Sequence, residues 1–166
     1  MVQLWVNLRA KDKSAKAGYQ TLLKAEIPNV ELPDNEGTVR VIAGDYNGRK
    51  GAAKTFTPIN LWDVNLRAAK SAELPLPNGH TTTFLVLSGE VEVNGERDVG
   101  EGDLAIFARA GDSITVKANA DAKVLIMDGE PIAEPVFGQG PFVMNSRAEI
   151  QQAFEEYQLG HMGELV

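Results

Sequence analysis

The sequence TFLVLSGEVEVNG, residues 83–95, decides the fold. It contains two short runs rich in apolar and β-branched residues, 83–87 and 90–93. The turn pair Ser88-Gly89 follows the first run, and Asn94-Gly95 follows the second. Asn-Gly favours a tight hairpin because both central residues of that turn take a positive φ. The stretch therefore predicts antiparallel strands joined by short turns.

Similar runs lie on both sides of this hairpin. Turn residues such as those at 100–103 (GEGD) and 119–121 (NAD) separate them at short intervals. Many short strands at this spacing are typical of antiparallel sandwiches and barrels. We therefore predict an all-β fold with further strands at residues 38–43, 58–66, 104–107, 114–117 and 122–127.

The C-terminal segment has the period of a helix instead. Residues 146–149 (SRAE) form a capping box, in which a serine hydroxyl and a glutamate three residues later satisfy the first amides. Gly160 suits a helix end. Apolar residues recur between them at helical spacing, at Ile150, Ala153, Phe154 and Tyr157.

The first 37 residues show no such regularity. Residues 2–8 (VQLWVNL) predict a strand, and the rest is expected to be an extended arm with one or two short turns. We predict one domain in three parts. Residues 1–37 form the arm, residues 38–137 the barrel, and residues 138–166 a tail with the helix.

Composition excludes several classes of protein. The chain has 166 residues, no cysteine and two histidines, which rules out a disulfide scaffold, a thiolate metal site and a catalytic thiol. A formal net charge of −7 argues against a nucleic-acid binder. No apolar run approaches the ~18 residues of a membrane span, and the first residues lack a signal-peptide pattern. We expect a cytoplasmic protein with no nucleic-acid or membrane partner.

Familiar catalytic motifs do not fit. Residues 44–51 (GDYNGRKG) are glycine-rich, but Arg49 stands where a phosphate loop needs its second glycine, so a hairpin loop is expected. No Gly-x-Ser-x-Gly motif is present. The sequence therefore gives no catalytic residue.

Two groups of residues carry a family resemblance. Residues 75–80 (PLPNGH) with 85–95, and residues 102–112, resemble the two signature hairpins of a cupin jelly roll. More specifically, the chain resembles the C-terminal domain of the pirin family from end to end. The residues that carry this resemblance include 3–8 (QLWVNL), 39–44 (VRVIAG), 129–132 (GEPI) and 140–145 (GPFVMN).

The resemblance implies a fold and a limited chemistry. Pirins are bicupins whose iron, or another divalent transition metal, sits in the N-terminal cupin on three histidines and a glutamate. This chain begins where the family's second domain begins, so Met1 marks a dissected fragment, a truncated gene or a stand-alone domain. Family activities are oxygen-dependent opening of quercetin-like flavonols and binding to regulatory proteins.

The cupin metal motif is absent from this chain's own barrel. Counting back from Gly89 puts Thr82, or the residue before it, at the glutamate position, and no histidine falls at the expected positions upstream. A transition-metal site needs about three converging ligands. We therefore expect no catalytic residue, metal ligand or cofactor in this chain. His80 is a weak metal candidate, with a carboxylate such as Glu73 or Asp103.

The leading hypothesis is a non-catalytic pirin-like cupin domain that acts in self-association, as a homodimer, or in binding a protein partner. The alternative is part of a metal-dependent quercetin 2,3-dioxygenase-like pirin whose metal-binding cupin is missing or supplied by another chain. A third reading is a barrel that binds a small organic ligand through Asn60, Arg40 and Glu73. The interface candidates are Trp5, Leu8, Phe154 and Tyr157.

Overall fold

The computed structural model describes residues 2–162, which fall into two compact units. The barrel unit is Gly18–Pro131. The terminal unit combines Met1–Ala17 with Ile132–Val166, of which residues 2–17 and 132–162 are described.

Antiparallel strands build the barrel unit, as the sequence predicts, but the runs at 83–87 and 90–93 do not form a hairpin with each other, because they belong to different sheets. The strands of this unit are β1 Asn29–Glu31, β2 Gly37–Ala43, β3 Asp45–Tyr46, β4 Arg49–Lys50, β5 Ile59–Leu66, β6 Ser71–Pro75, β7 Thr81–Ser88, β8 Glu90–Val93, β9 Arg97–Gly100, β10 Leu104–Ile106, β11 Ser113–Ala118 and β12 Ala122–Gly129. A six-stranded sheet has the order β1-β2-β5-β12-β7-β10, a four-stranded sheet has the order β6-β11-β8-β9, and β3 pairs with β4. Short 3-10 turns lie at Ala10–Asp12, Lys24–Glu26 and Pro33–Asn35.

Side-chain alternation in the strands places the core. In β5, Trp62 and Val64 are buried in the core cluster, whereas Leu61 and Asp63 lie on the opposite face of the strand. The inward residues of both sheets form one apolar cluster, and its fully buried members include Phe84, Leu74, Val86, Val116 and Ile126. The two sheets therefore make a cupin-type β-sandwich, because alternate residues of a strand point to opposite faces.

The glycine-rich segment is the hairpin that the sequence predicts. Strands β3 and β4 are joined by Asn47 and Gly48, both at positive φ, 49° and 79°. Asp45 Oδ1 accepts a hydrogen bond from the Gly48 amide at 2.8 Å. The Asn-Gly pair therefore forms the tight turn of a β-hairpin, since both of its residues take a positive φ.

The strand predicted at residues 2–8 is wrong. The structure has no ladder there, and the strands of the terminal unit, β13 (Phe137–Gln139) and β14 (Phe142–Met144), pair with each other. Side chains hold the arm instead: Lys13 Nζ donates to Asn7 Oδ1 at 2.7 Å and to the Val143 carbonyl at 2.8 Å. An apolar run forms a strand only where another strand offers its backbone groups.

The predicted C-terminal helix is confirmed as α1, Arg147–Gln158. Ser146 Oγ accepts from the Glu149 amide at 3.2 Å, and Glu149 Oε2 accepts from Ser146 Oγ at 2.8 Å. Ile150 and Ala153 are its buried residues. Among residues 2–162, no helix has the length and apolar character that crossing a membrane requires.

Candidate functional site

A row of polar side chains crosses the inner face of the six-stranded sheet. The strand register sets Asp128 of β12 beside Asn60 of β5 on one side and beside Thr82 of β7 on the other. The preceding inward residues of β12 are Ala122, Val124 and Ile126, so Asp128 continues a core-facing series. Asp128 is 3% exposed and Thr82 is 6% exposed. A carboxylate this buried requires hydrogen-bond donors.

Three donors meet the Asp128 carboxylate. Asn60 Nδ2 donates to Oδ1 at 2.8 Å, and Thr82 Oγ1 donates to Oδ2 at 2.9 Å. His80 Nδ1 lies 3.0 Å from Oδ1. Because a carboxylate only accepts hydrogen bonds, we assign a hydrogen to His80 Nδ1. Asn60, His80, Thr82 and Asp128 are called the Asp128 cluster below.

A glycine makes room for this arrangement. Asn60 Oδ1 accepts from the Asp45 amide at 3.1 Å, which fixes the amide orientation so that Nδ2 faces Asp128. Gly44 has a φ of 81°, and a Cβ at that position would overlap Asn60 Oδ1. Glycine at this position thus permits both the left-handed backbone and the close approach of the Asn60 side chain.

The cluster borders a cavity of about 140 Å³ in the barrel unit. His80 and Thr82 line it together with the apolar residues Leu76, Phe107 and Ile114. The His80 side chain is 15% exposed, and its Nε2 has no hydrogen-bond partner among the described residues. The cavity therefore sets the oriented His80 ring beside apolar walls, with further polar residues, Asn94, Arg109 and Ser113, in its lining.

The carboxylates predicted to accompany His80 are not its neighbours. Glu73 is exposed on β6, and Asp103 Oδ2 accepts from the Gly100 amide at 3.1 Å. In the part of the chain that the structure describes, no group of three or more His, Cys, Asp or Glu residues could hold a metal ion. One imidazole beside a carboxylate that already accepts three hydrogen bonds does not fit the three-ligand set of a transition metal. We therefore derive no step through a metal in this chain.

Sequence reasoning missed Asp128 as the partner of His80. The signal was the alternation of β12 itself, since Asp128 follows Ile126 by two residues and must share its face. The small-ligand reading named Asn60, Arg40 and Glu73 as polar contacts, and the structure places Asn60 in the Asp128 cluster. Arg40 and Glu73 do not join this cluster, because the Arg40 guanidinium bonds Asp63 on the opposite sheet face and Glu73 is exposed.

Comparison with known proteins identifies the family. Residues 61–163 match the family model described as the pirin C-terminal cupin domain. The chain belongs to the pirin family. It is 48% identical over 160 residues to a Pseudomonas aeruginosa protein named "Putative quercetin 2,3-dioxygenase", and the match covers 96% of this chain and 56% of that protein. Human pirin is 36% identical over 163 residues, with 94% of this chain and 54% of that protein covered.

The fold of this pirin is similar to that of a solved structure. The crystal structure of quercetin 2,3-dioxygenase from Acinetobacter baumannii is 40% identical, with a TM-score of 0.92. The match covers 98% of this chain and 56% of that one. The chain thus spans about half the length of the relatives it matches.

The interface candidates of this pirin all lie in its terminal unit. Trp5 is 75% exposed and Tyr157 is 64% exposed, while Leu8 and Phe154 are partly buried. Phe154 meets Phe142 edge-on, with ring centroids 4.9 Å apart, so part of its surface is used inside the unit. Trp5 and Leu8 line a groove of about 390 Å³. A role of these residues in association stays a prediction.

A second surface, which sequence reasoning missed, lies on the barrel unit of this pirin. Two cross-strand rows on the outside of the six-stranded sheet run Leu104–Leu85–Leu125 and Ile106–Thr83–Met127. Leu104 is 54% exposed and Ile106 is 74% exposed, and both belong to the edge strand β10. We call four of these apolar residues the outer apolar face: Leu85, Leu104, Ile106 and Met127; Leu125, at 8% exposed, is already buried.

Charged residues lie on the same outer surface of the sheet, on the strands toward its other edge. The first row continues from Leu125 to Asp63 and Arg40. Arg40 Nη1 lies 2.9 Å and Lys123 Nζ 3.3 Å from Asp63 Oδ2. The outside of the sheet is therefore apolar toward β10 and charged toward β2.

Proposed function

We propose that this chain acts by contact rather than by chemistry of its own. Its outer apolar face docks against a metal-binding cupin domain of the pirin family. In the assembled protein, the quercetin 2,3-dioxygenase-like activity named for the relatives belongs to that other domain. The observation that carries the proposal is the pair of apolar rows that end on exposed Leu104 and Ile106 at the sheet edge.

The composition of the face supports docking. Strand edges in soluble proteins are usually protected by charges, proline or cover, because an exposed apolar edge invites association. Strand β10 has no charged residue and presents Leu104 and Ile106 outward, since Ala105 between them packs on the core. Completing the burial of one such side chain stabilises a complex by about 1–2 kcal/mol. Each therefore contributes roughly tenfold in affinity.

A cupin domain is the occupant that the comparisons favour. The Pseudomonas relative extends beyond the matched part, which makes up 56% of its length. The matched family model describes a C-terminal cupin domain. By the resemblance above, the preceding cupin of a pirin holds the metal.

The test mixes this chain with the part of the Pseudomonas relative that it does not cover, and measures association by sedimentation velocity. We expect a one-to-one complex that Ile106→Lys weakens at least tenfold. The matched control is Leu23→Lys, because Leu23 is also exposed on the barrel unit, at 63%, but lies outside the face. Equal weakening by both variants, or no complex at all, would refute the proposal.

The same experiment distinguishes docking of the other cupin domain from docking of a second copy of this chain. A homodimer of this chain that Ile106→Lys dissociates would assign the face to a second copy and refute docking of the other cupin domain. A homodimer that Trp5→Asp dissociates instead would support the association predicted for Trp5, Leu8, Phe154 and Tyr157.

A further inference from the structure

The contact with Asp128 fixes how the His80 ring is oriented and which of its nitrogen atoms, Nε2, is left to bind another group. Asp128 Oδ1 takes a hydrogen from Asn60 Nδ2 and lies 3.0 Å from His80 Nδ1. Neutral His80 held this way has its hydrogen on Nδ1 and a lone pair on Nε2. Nε2 has no partner among residues 2–162. The cluster therefore orients a hydrogen-bond acceptor.

The position of the cluster makes packing alone a poor explanation for it. Asn60, Thr82 and Asp128 all take core-facing positions on adjacent strands, where other inward residues are apolar. Buried ionic groups of this kind can often be replaced by apolar residues of similar volume without loss of stability. What such a network supplies here is a fixed orientation for the His80 ring, which lines a cavity together with Thr82.

The cavity beside His80 has the size of a single ring. Its volume is about 140 Å³, and an apolar protein cavity of about 150 Å³ accepts benzene. Leu76, Phe107 and Ile114 supply apolar walls, and Phe107 lies near Phe84, with ring centroids 5.5 Å apart. We infer that this cavity binds a small one-ring organic molecule with a hydroxyl group, whose hydrogen is donated to His80 Nε2.

The charges around the cavity set the expected preference. Asp128 lies behind His80 and disfavours an anion, whereas Arg109, an exposed residue that also lines the cavity, favours one. A carboxylate ligand also has no hydrogen to donate to the lone pair of Nε2, whereas a hydroxyl group has one. A neutral hydroxyl is therefore preferred over a carboxylate. A site built to pair a hydroxyl also discriminates against an analogue that lacks one, since its own polar atom then stays unpaired.

The test titrates the whole chain at pH 8 with phenol, toluene and benzoate. Phenol should bind about tenfold tighter than either of the other two. Nitrogen-15 NMR should show the His80 Nε2 resonance move with phenol and stay in place with toluene. His161 is the internal control, because it is exposed and its resonances should not respond. Tighter binding of benzoate or toluene, or no binding of phenol, would overturn the inference.

A variant pair completes the test. His80→Gln should weaken phenol about tenfold and leave toluene unchanged, while His161→Gln should change neither. If His80→Gln does not fold, the resonances of the unmodified protein decide alone. The outcome is independent of docking at the outer apolar face, so either proposal can fail without the other.

Discussion

Replacing Asp128 by alanine should destabilise the barrel unit far more than replacing it by asparagine. Alanine removes the acceptor of three hydrogen bonds, from Asn60, Thr82 and His80. A buried donor left without an acceptor costs about 1–3 kcal/mol. His80 is 15% exposed and can turn to water, so Asn60 and Thr82 dominate the cost. Removing a buried charge offsets part of it, which leaves about 3 kcal/mol.

Asparagine at position 128 keeps the same set of contacts. Its Oδ1 can accept from Asn60 and His80, and its Nδ2 can donate to Thr82 Oγ1, since a hydroxyl is also an acceptor. What is lost is the charge assistance of the hydrogen bonds, while the cost of burying a charge also disappears. We expect a loss of about 1 kcal/mol, so the two variants should differ by about 2 kcal/mol.

Urea unfolding followed by tryptophan fluorescence measures the difference. Trp62 is 1% exposed in the core of the same unit, so its emission should report unfolding of the barrel. For a chain of 166 residues, a loss of 3 kcal/mol lowers the Tm by roughly 6–12 °C. An Asp128→Ala variant as stable as the wild type would refute the reasoning. So would an Asp128→Asn variant that is as unstable as alanine, because the contacts would then not explain the cost.

Two further predictions concern Gly44 and Tyr46. Gly44→Ala should lower the free energy of unfolding by about 3 kcal/mol, because the φ of Gly44 is 81° and a Cβ there would displace Asn60. The matched variant Gly48→Ala should lower it by only about 1 kcal/mol, because Gly48 has a φ of 79° but open space around it. Equal urea midpoints for the two variants would contradict this. Burial, with a smaller effect of the Glu36 charge, raises the pKa of Tyr46 above 10.0. Above pH 10 the unfolded chain therefore loses this proton before the folded one does, so stability should fall with rising pH until the raised pKa is passed. The urea midpoint should drop between pH 9 and 11 less in Tyr46→Phe than in the wild type, and an identical drop would argue against Tyr46 as a source.

Sequence reasoning found the strands with strong apolar alternation. The pattern at 122–127 gave most of β12, and the Asn-Gly pair gave the turn after β8. Strand β6 (SAELP) was missed because Ala72 and Leu74 are its only inward residues and Pro75 ends it. Strand β9 (RDVG) was missed because Val99 is its one buried residue. Short strands with one or two apolar residues are recognised only by the partner strand beside them.

The site was harder to predict than the fold. The sequence singled out His80 only as a weak metal candidate, and its partner depends on strand register, which brings together residues 48 positions apart. Alternation alone would have placed Asp128 on the core face, since Val124 and Ile126 precede it at a period of two. Because β12 is mostly apolar, it was interpreted only as a core strand, and its buried carboxylate, Asp128, was not considered as a partner for another polar side chain.

The alternation of side chains along each strand also explains how one sheet can carry the outer apolar face on one side and the Asp128 cluster on the other. Met127 belongs to the outer apolar face, and Asp128, the next residue, lies in the barrel. Thr82 and Thr83 divide in the same way on β7: Thr82 donates to Asp128, and Thr83 stands between Ile106 and Met127. Neighbouring residues of a strand point to opposite faces, so substitutions can alter docking on one side while the hydrogen bonds on the other persist. A shift of one residue in the register of β7 against β12 would exchange the faces and destroy both surfaces together.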